Sequence, residues 1–207
     1  MASTRPQPVS NGMNKKIILA STSPRRKEIF EKLGIPFTVE DSGYEEDLGL
    51  KKKPNELARY LALHKAKAVA KRHEDAIVIG ADTIVVINGE VVGKARDRQH
   101  AMEILKKLSG SSHKVVTGFA LINTKDGKVI SKAVETKVQF KKLTDKEISD
   151  YLLSGEWKGK AGAYDIRGLS SRFVKKVEGD RLNVVGLPLK AFLDELEKIG
   201  VRKVIHR

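Results

Sequence analysis

The chain has 207 residues, 40% of them hydrophobic and none of them cysteine, so it is long enough for a substantial core, and disulfide frameworks, thiol catalysis and thiolate metal sites are excluded. No apolar run approaches the roughly 20 residues of a membrane span. Forty lysines and arginines against 26 acids leave a net charge of +14, which suits either a polyanionic partner or a lysine-coated, solvated surface.

Residues 1–13 are polar and lack the apolar segment of a secretory signal. They read as a loose tail before a domain spanning 14–207, and a reducing, cytoplasmic location is compatible with the absence of cysteine. "KIILA" (16–20) is a short buried-type strand. Ser23 can cap the helix that follows, with Pro24 at its first position, Ile29, Phe30 and Leu33 on one face, and Gly34 as its stop. "PFTVED" (36–41) predicts a second strand, and residues 54–73 a helix with Leu57, Leu61, Ala68 and Val69 at helical spacing. "AIVIGADTIVVI" (76–87) is β-rich, with a break expected at Gly80-Ala81-Asp82, and "NGE" (88–90) is a hairpin turn. Asp97 caps a helix carrying Ala101, Ile104, Leu105 and Leu108, which Gly110 ends. Residues 113–124 and 129–143 form a long hairpin across "KDGK", and 144–155 is a capped helix. "SRFVKKVEG" (171–179) reads as a strand and 187–200 as a helix with Leu189, Phe192, Leu193, Leu196 and Ile199 buried. Crossover and hairpin connections together predict an α/β fold with a mixed sheet. The long hairpin suggests a second lobe, with a cleft between the two.

The chemistry-bearing residues sit where these elements meet. "STSPRR" (21–26) is a strand-to-helix turn that offers hydroxyls, backbone N–H groups and two guanidiniums to a phosphate chain. A helix N-terminus is already partly positive, so Arg25 and Arg26 there imply an opposing anion; the plainer reading is a Ser-Pro cap with surface arginines. Asp82 in "GADT" (80–83) stands at the expected strand end, the place of a general base or cation ligand, or of a turn aspartate bonding its own backbone. "GYEE" (43–46) supplies paired carboxylates that could share Mg²⁺ with a substrate phosphate, or be solvated loop acids. Lys94 in "GKARD" and Lys160 in "GKAGAYDIRG" sit among small residues that let a ligand approach. Lys65 on its helix and His113 before its strand have ordinary structural explanations. No zinc spacing, Walker loop or dinucleotide fingerprint is present.

Taken together, "LASTSPRRKEIF", "HKAKA", "IGADTIVVINGEVVGK", "LSGSSHKVVTG", "GKAGAYDIRG", "FVKKVEGD" and "VVGLPL", in that order, resemble the Maf family of nucleotide pyrophosphatases from about Lys16 to Ile199. The resemblance implies an elongated mixed β-sheet flanked by helices, like that of inosine triphosphate pyrophosphatase, with a central cleft. It implies hydrolysis of dTTP, UTP or a related or modified pyrimidine nucleotide to the monophosphate and pyrophosphate, as housecleaning of the nucleotide pool. It also implies a divalent cation: Mg²⁺, or Mn²⁺ or Co²⁺.

Carried over by position, Asp82 is the proton acceptor, with Lys65 and Lys94 as catalytic cations. Ser21, Arg25, Arg26, Thr83, Lys160 and Arg167 bind substrate, Arg25 and Thr83 at positions tied to base selection. Glu46, Asp82 and Asp97 hold the metal. Two residues depart from the family pattern: Ala95 replaces a proline, and Arg167 replaces the glutamine of "KAGAYGIQG". The expected partner is a small-molecule nucleoside triphosphate, with no specific nucleic acid and no membrane; a homodimer is left open. The rival readings are a non-hydrolytic nucleotide sensor of growth or septation, and a basic nucleic-acid-binding protein. Aromatic content of 5% and the lack of a stacking motif count against the second.

Overall fold

Twelve residues of uninterrupted strand, β3 (Ala76–Ile87), lie at the middle of a seven-stranded mixed sheet. The computed structural model describes residues 15–201; the expected tail, residues 1–13, lies outside them. The elements follow in the order β1 (Lys16–Ala20), α1 (Pro24–Lys32), β2 (Thr38–Val39), α2 (Pro54–Ala70), β3, β4 (Glu90–Val92), α3 (Arg98–Leu108), β5 (Ser112–Asn123), β6 (Val129–Phe140), α4 (Asp145–Leu153), a 3₁₀ turn (Leu169–Phe173), β7 (Val174–Glu178), α5 (Arg181–Val185) and α6 (Leu189–Lys198). The sheet runs β2-β1-β3-β5-β6-β7, with β4 pairing on β3. β1 lies parallel to β2 and β3, and all other pairings are antiparallel. Among the described residues no helix is long and apolar enough to cross a membrane.

Strand alternation divides the core. Ile77, Ile79, Ala81, Val85 and Ile87 face one side, where they pack with residues of α1, α3, α4 and α6. Val78, Ile84 and Val86 face the other side, against α2. A strand covered on both faces reads as a continuous apolar run, because neither face needs to be polar.

The expected break in β3 is absent. Asp82 pairs with Gly118 and Thr83 with Thr117 in an unbroken antiparallel ladder, so Asp82 is a mid-strand residue and not a strand-end one. Gly80 has a packing role instead. A Cβ there would collide with the Ala62 carbonyl and lie 2.8 Å from the Ala66 nitrogen; one at Gly118 would collide with the Ala58 carbonyl. The two glycines let the α2 backbone settle directly onto β3 and β5, with Ala58, Ala62 and Ala66 fully buried at the contact.

Other expectations shift at their edges. β2 is only two residues long, and the strand expected over 171–179 begins as a 3₁₀ turn that ends at Phe173. The "NGE" turn forms with both Asn88 and Gly89 at positive φ, the backbone of a tight hairpin. In α6, Phe192 and Leu196 are buried, with Ile199 just beyond its end, while Leu189 and Leu193 are half-buried. His113 is structural: its Nε2 lies 2.9 Å from the Tyr164 hydroxyl, and burial pushes its pKa down to about 4.

The tight seat of α2 yields a test. Gly80→Ala forces helix and sheet apart and lowers unfolding stability by about 1–3 kcal/mol, the usual cost of overpacking. A urea titration of the variant reads this directly; an unchanged midpoint contradicts the close packing.

Candidate active site

A cleft of ≈ 620 Å³ opens beside the middle of the sheet. Seven basic side chains line it (Arg25, Arg26, Lys65, Lys94, Lys158, Lys160 and Arg167) against four acids, Asp41, Glu46, Asp82 and Asp165. The excess of cations suits a highly charged anion.

Neighbouring residues of β3 serve opposite faces. Asp82 points toward α2, where the Lys65 ammonium meets its Oδ1 at 2.5 Å. The same ammonium lies 2.5 Å from Glu46 Oε1, so one cation is shared by two carboxylates. Asp82 is 4% exposed, and its second oxygen, Oδ2, is buried with no hydrogen-bond partner among the described residues. Glu46 comes from the irregular chain between β2 and α2, which is shaped by side-chain-to-backbone turns at Asp41, Ser42 and Asp47. Tyr44 and Leu48 of this segment pack onto the α2 cluster and carry Glu46 to Lys65. Burial pushes the Glu46 carboxyl up, but the hydrogen bond and charge of Lys65, with Lys94 and Arg26, hold it below its usual value. Lys94 Nζ stands 3.6 Å from Glu46 Oε1.

Thr83 faces the other side and meets Arg26. The Arg26 guanidinium donates from Nε to the Gly186 carbonyl at 2.9 Å, from NH1 to Ser21 Oγ at 3.1 Å, and from NH2 to Thr83 Oγ1 at 3.0 Å. Thr83 Oγ1 lies 2.9 Å from Thr117 Oγ1, which donates to the Asn183 carbonyl. Burial pushes Arg26 below the usual arginine value, opposed chiefly by Asp82; a guanidinium nevertheless stays charged at neutral pH. Arg26 thus braces α1 against β3 and the α5 turn, and among the described residues two of its N–H groups stay uncommitted.

Arg25 is held loosely. NH1 lies 3.9 Å from Asp165 Oδ2, and burial lowers its pKa with Asp165 opposing. Among the described residues Lys160 Nζ reaches only the Lys158 carbonyl, at 3.4 Å. Arg167 lines the cleft but donates from NH1 to Glu28 Oε2 at 2.6 Å, and its Nε lies 3.5 Å from Asp165 Oδ1. Burial acts to lower the Arg167 pKa, but Glu28 and Asp165 together raise it.

The structure therefore gathers Ser21, Arg25, Arg26, Glu46, Lys65, Asp82, Thr83, Lys94, Lys160 and Arg167 around one cleft. Asp97 stands apart. Its Oδ1 accepts from the His100 backbone N–H at 2.7 Å as the N-cap of α3, and it is not a cleft residue. No group of three or more metal-ligating side chains converges among the described residues. Two carboxylates, one with an unsatisfied buried oxygen, still fit a cation that completes its shell with water and phosphate.

The sequence matches the family described as Maf-like protein over residues 16–199. The chain belongs to the Maf family. It is 49% identical to the dTTP/UTP pyrophosphatase of Thermoanaerobacter sp. (strain X514) over 184 residues, which is 88% of this chain and 96% of that one. It is 45% identical to the dTTP/UTP pyrophosphatase of Pelotomaculum thermopropionicum over 90% of this chain and 97% of the relative. Among solved structures, the Staphylococcus aureus Ham1 protein aligns with a TM-score of 0.44 and 16% identity, covering 61% of this chain and 72% of that one. At that score it adds nothing to the strand order described above.

Two parts of this Maf-family site escape sequence reasoning. The Gly186 carbonyl that receives Arg26 follows α5, a five-residue helix too short to show periodicity. Asp165 projects into the cleft between two arginines; it lies in the "GKAGAYDIRG" segment noted for Lys160, but spacing alone does not show that it faces Arg25.

Removing the shared cation tests the cluster. Lys65→Met leaves two carboxylates with one counter-charge lost, at a cost of about 3 kcal/mol near pH 7. The depressed Glu46 carboxyl contributes stability above its unfolded value, and that contribution fades as pH falls through the folded value. The gap between parent and variant is therefore widest at neutral pH and narrows below about pH 4.5. A pH-independent gap in denaturant titrations contradicts the shared ion pair.

Proposed function

We propose that the cleft hydrolyses dTTP, UTP or a related pyrimidine nucleoside triphosphate to the monophosphate and pyrophosphate. The observation that carries this reading is Asp82: a buried carboxylate with one oxygen held by Lys65 and the other unpartnered, in a cleft lined by cations. The names of the relatives, which share nearly the full length of the chain, agree with it.

The chain's groups divide the work. The turn from Ser21 to Arg26 sits at the N-terminus of α1, whose first turn contains no acid, and it receives the triphosphate together with Lys94 and Lys160. Asp82 Oδ2 accepts a hydrogen bond from the attacking water and takes its proton as the oxygen bonds to phosphorus. Lys65 keeps the carboxylate fixed in orientation throughout. As the anhydride bond breaks, charge collects on the departing pyrophosphate, and guanidinium and ammonium groups already in place stabilise it without reorganising. A divalent cation, held by Glu46 and Asp82, would supply Lewis-acid neutralisation of the phosphate oxygens.

With Mg²⁺ or Mn²⁺ present, the protein converts UTP or dTTP to monophosphate and pyrophosphate. Release of orthophosphate and the nucleoside diphosphate instead would overturn the assigned bond. Asp82→Asn keeps the side chain's size and removes its basicity, so kcat falls by about two to four orders of magnitude while nucleotide affinity changes little. Near-parental turnover at saturating substrate would show that another group takes the proton.

A further inference from the structure

Asp165 has no part in the chemistry just described, yet it projects into the same cleft. Its two carboxylate oxygens face different guanidiniums: Oδ2 faces Arg25 NH1 at 3.9 Å, and Oδ1 faces Arg167 Nε at 3.5 Å. The Arg25 separation is too long for a closed hydrogen bond, and the Arg167 contact leaves that guanidinium's NH2 group uncommitted among the described residues. Oδ1 accepts the Arg167 backbone N–H at 3.1 Å as well as facing that residue's Nε. Oδ2 therefore keeps an unused acceptor, although the side chain is only 11% exposed.

The surrounding loop holds this carboxylate still. The Asp165 backbone N–H donates to Ser170 Oγ at 2.9 Å, and the Asp165 carbonyl accepts from the same hydroxyl at 2.8 Å. Glu156 in turn accepts the Leu169 N–H at 2.8 Å, and a Cβ at Gly168 would collide with its carboxylate. Glu28 fixes the outer end of Arg167. The cleft thus presents a preorganised order of donor, acceptor, donor: Arg25, Asp165, Arg167.

Arginine offers only donors, and an ionised carboxylate only accepts. A ligand edge that complements this order reads acceptor, donor, acceptor. Uracil and thymine have that edge, with the N3–H between two carbonyls. Cytosine offers an amino donor, then an N3 acceptor, and would set a lone pair against the carboxylate. Guanine offers one carbonyl followed by two donors, the second of which would meet a guanidinium.

We propose that Asp165 is a specificity-determining residue that accepts the N3–H of a uracil or thymine base, with Arg25 and Arg167 donating to the flanking carbonyls. This rests on the nucleotide reading of the cleft. It also bears on the departure at Arg167: the glutamine that the resemblance implies there carries both a donor and an acceptor, arginine offers only donors, and the neighbouring Asp165 carboxylate supplies an acceptor.

The test is a binding measurement, so it does not depend on turnover. Calorimetry on the full chain with Mg²⁺ compares α,β-methylene analogues of UTP, CTP and N3-methyl-UTP. The parent binds the UTP analogue at least roughly tenfold more tightly than either of the others. Asp165→Ala brings UTP and N3-methyl-UTP within about twofold of each other. Asp165→Asn, which keeps the size of the side chain, lowers the UTP-to-CTP preference about tenfold, because an amide can turn its NH₂ toward the cytosine N3. Equal parental affinity for UTP and N3-methyl-UTP overturns the proposal. So does a methyl penalty that persists in both variants, or an equal weakening of all three ligands, which would mark a merely structural role. Intact discrimination without hydrolysis would sink the catalytic reading and leave this one standing, whereas no binding of any analogue would sink both.

Discussion

One ammonium group, that of Lys65, organises the site. It stands 2.5 Å from a carboxylate on the central strand and 2.5 Å from another on an irregular loop. A buried carboxylate without such a partner would be costly to keep charged. Lys65 therefore allows Asp82 to sit in the middle of an otherwise apolar strand. It also draws the 41–53 segment across the cleft, since Glu46 is that segment's link to the ion cluster.

The interaction depends on how closely a helix can approach a sheet. A lysine on α2 reaches a mid-strand aspartate only because Gly80 and Gly118 leave space for the α2 backbone, met there by alanines. The same strand then uses its two-residue alternation. Asp82 turns toward α2 and the ion cluster; Thr83 turns the other way to Arg26, and through it to Ser21 and the Gly186 carbonyl. Two adjacent residues couple the two layers of the fold to one cleft. Charge that would be unfavourable at the positive end of α1 is balanced within the cleft: Arg26 binds oxygen acceptors on three elements, and Arg25 faces Asp165.

Much of this was legible in the sequence. The amphipathic helices, the hairpin turn at Asn88-Gly89 and the apolar strands follow local rules, and most formed near their expected bounds. The cluster of site residues came from the ordered motifs, because spacing alone could not show that Lys65 and Asp82 meet. The reading of Gly80 failed for a physical reason. Glycine marks both turns and close packing, and the difference lies in a helix 14 residues away in sequence, at Ala66. Asp97 shows the converse ambiguity: an aspartate before a helix suits a cap as well as a cation ligand, and here it caps. An arginine at 167 is long enough either to enter the pocket or to turn to a nearby carboxylate. The structure gives both at once, a side chain lining the cleft while pinned to Glu28.

The most direct measurement is a crystal structure with Mg²⁺ and an α,β-methylene analogue of UTP. The account predicts the triphosphate along the Ser21–Arg26 turn, with a water or cation seated on Asp82 Oδ2 and the Lys65 bridge intact. A triphosphate bound away from that turn, with Asp82 Oδ2 still unpartnered, would contradict it.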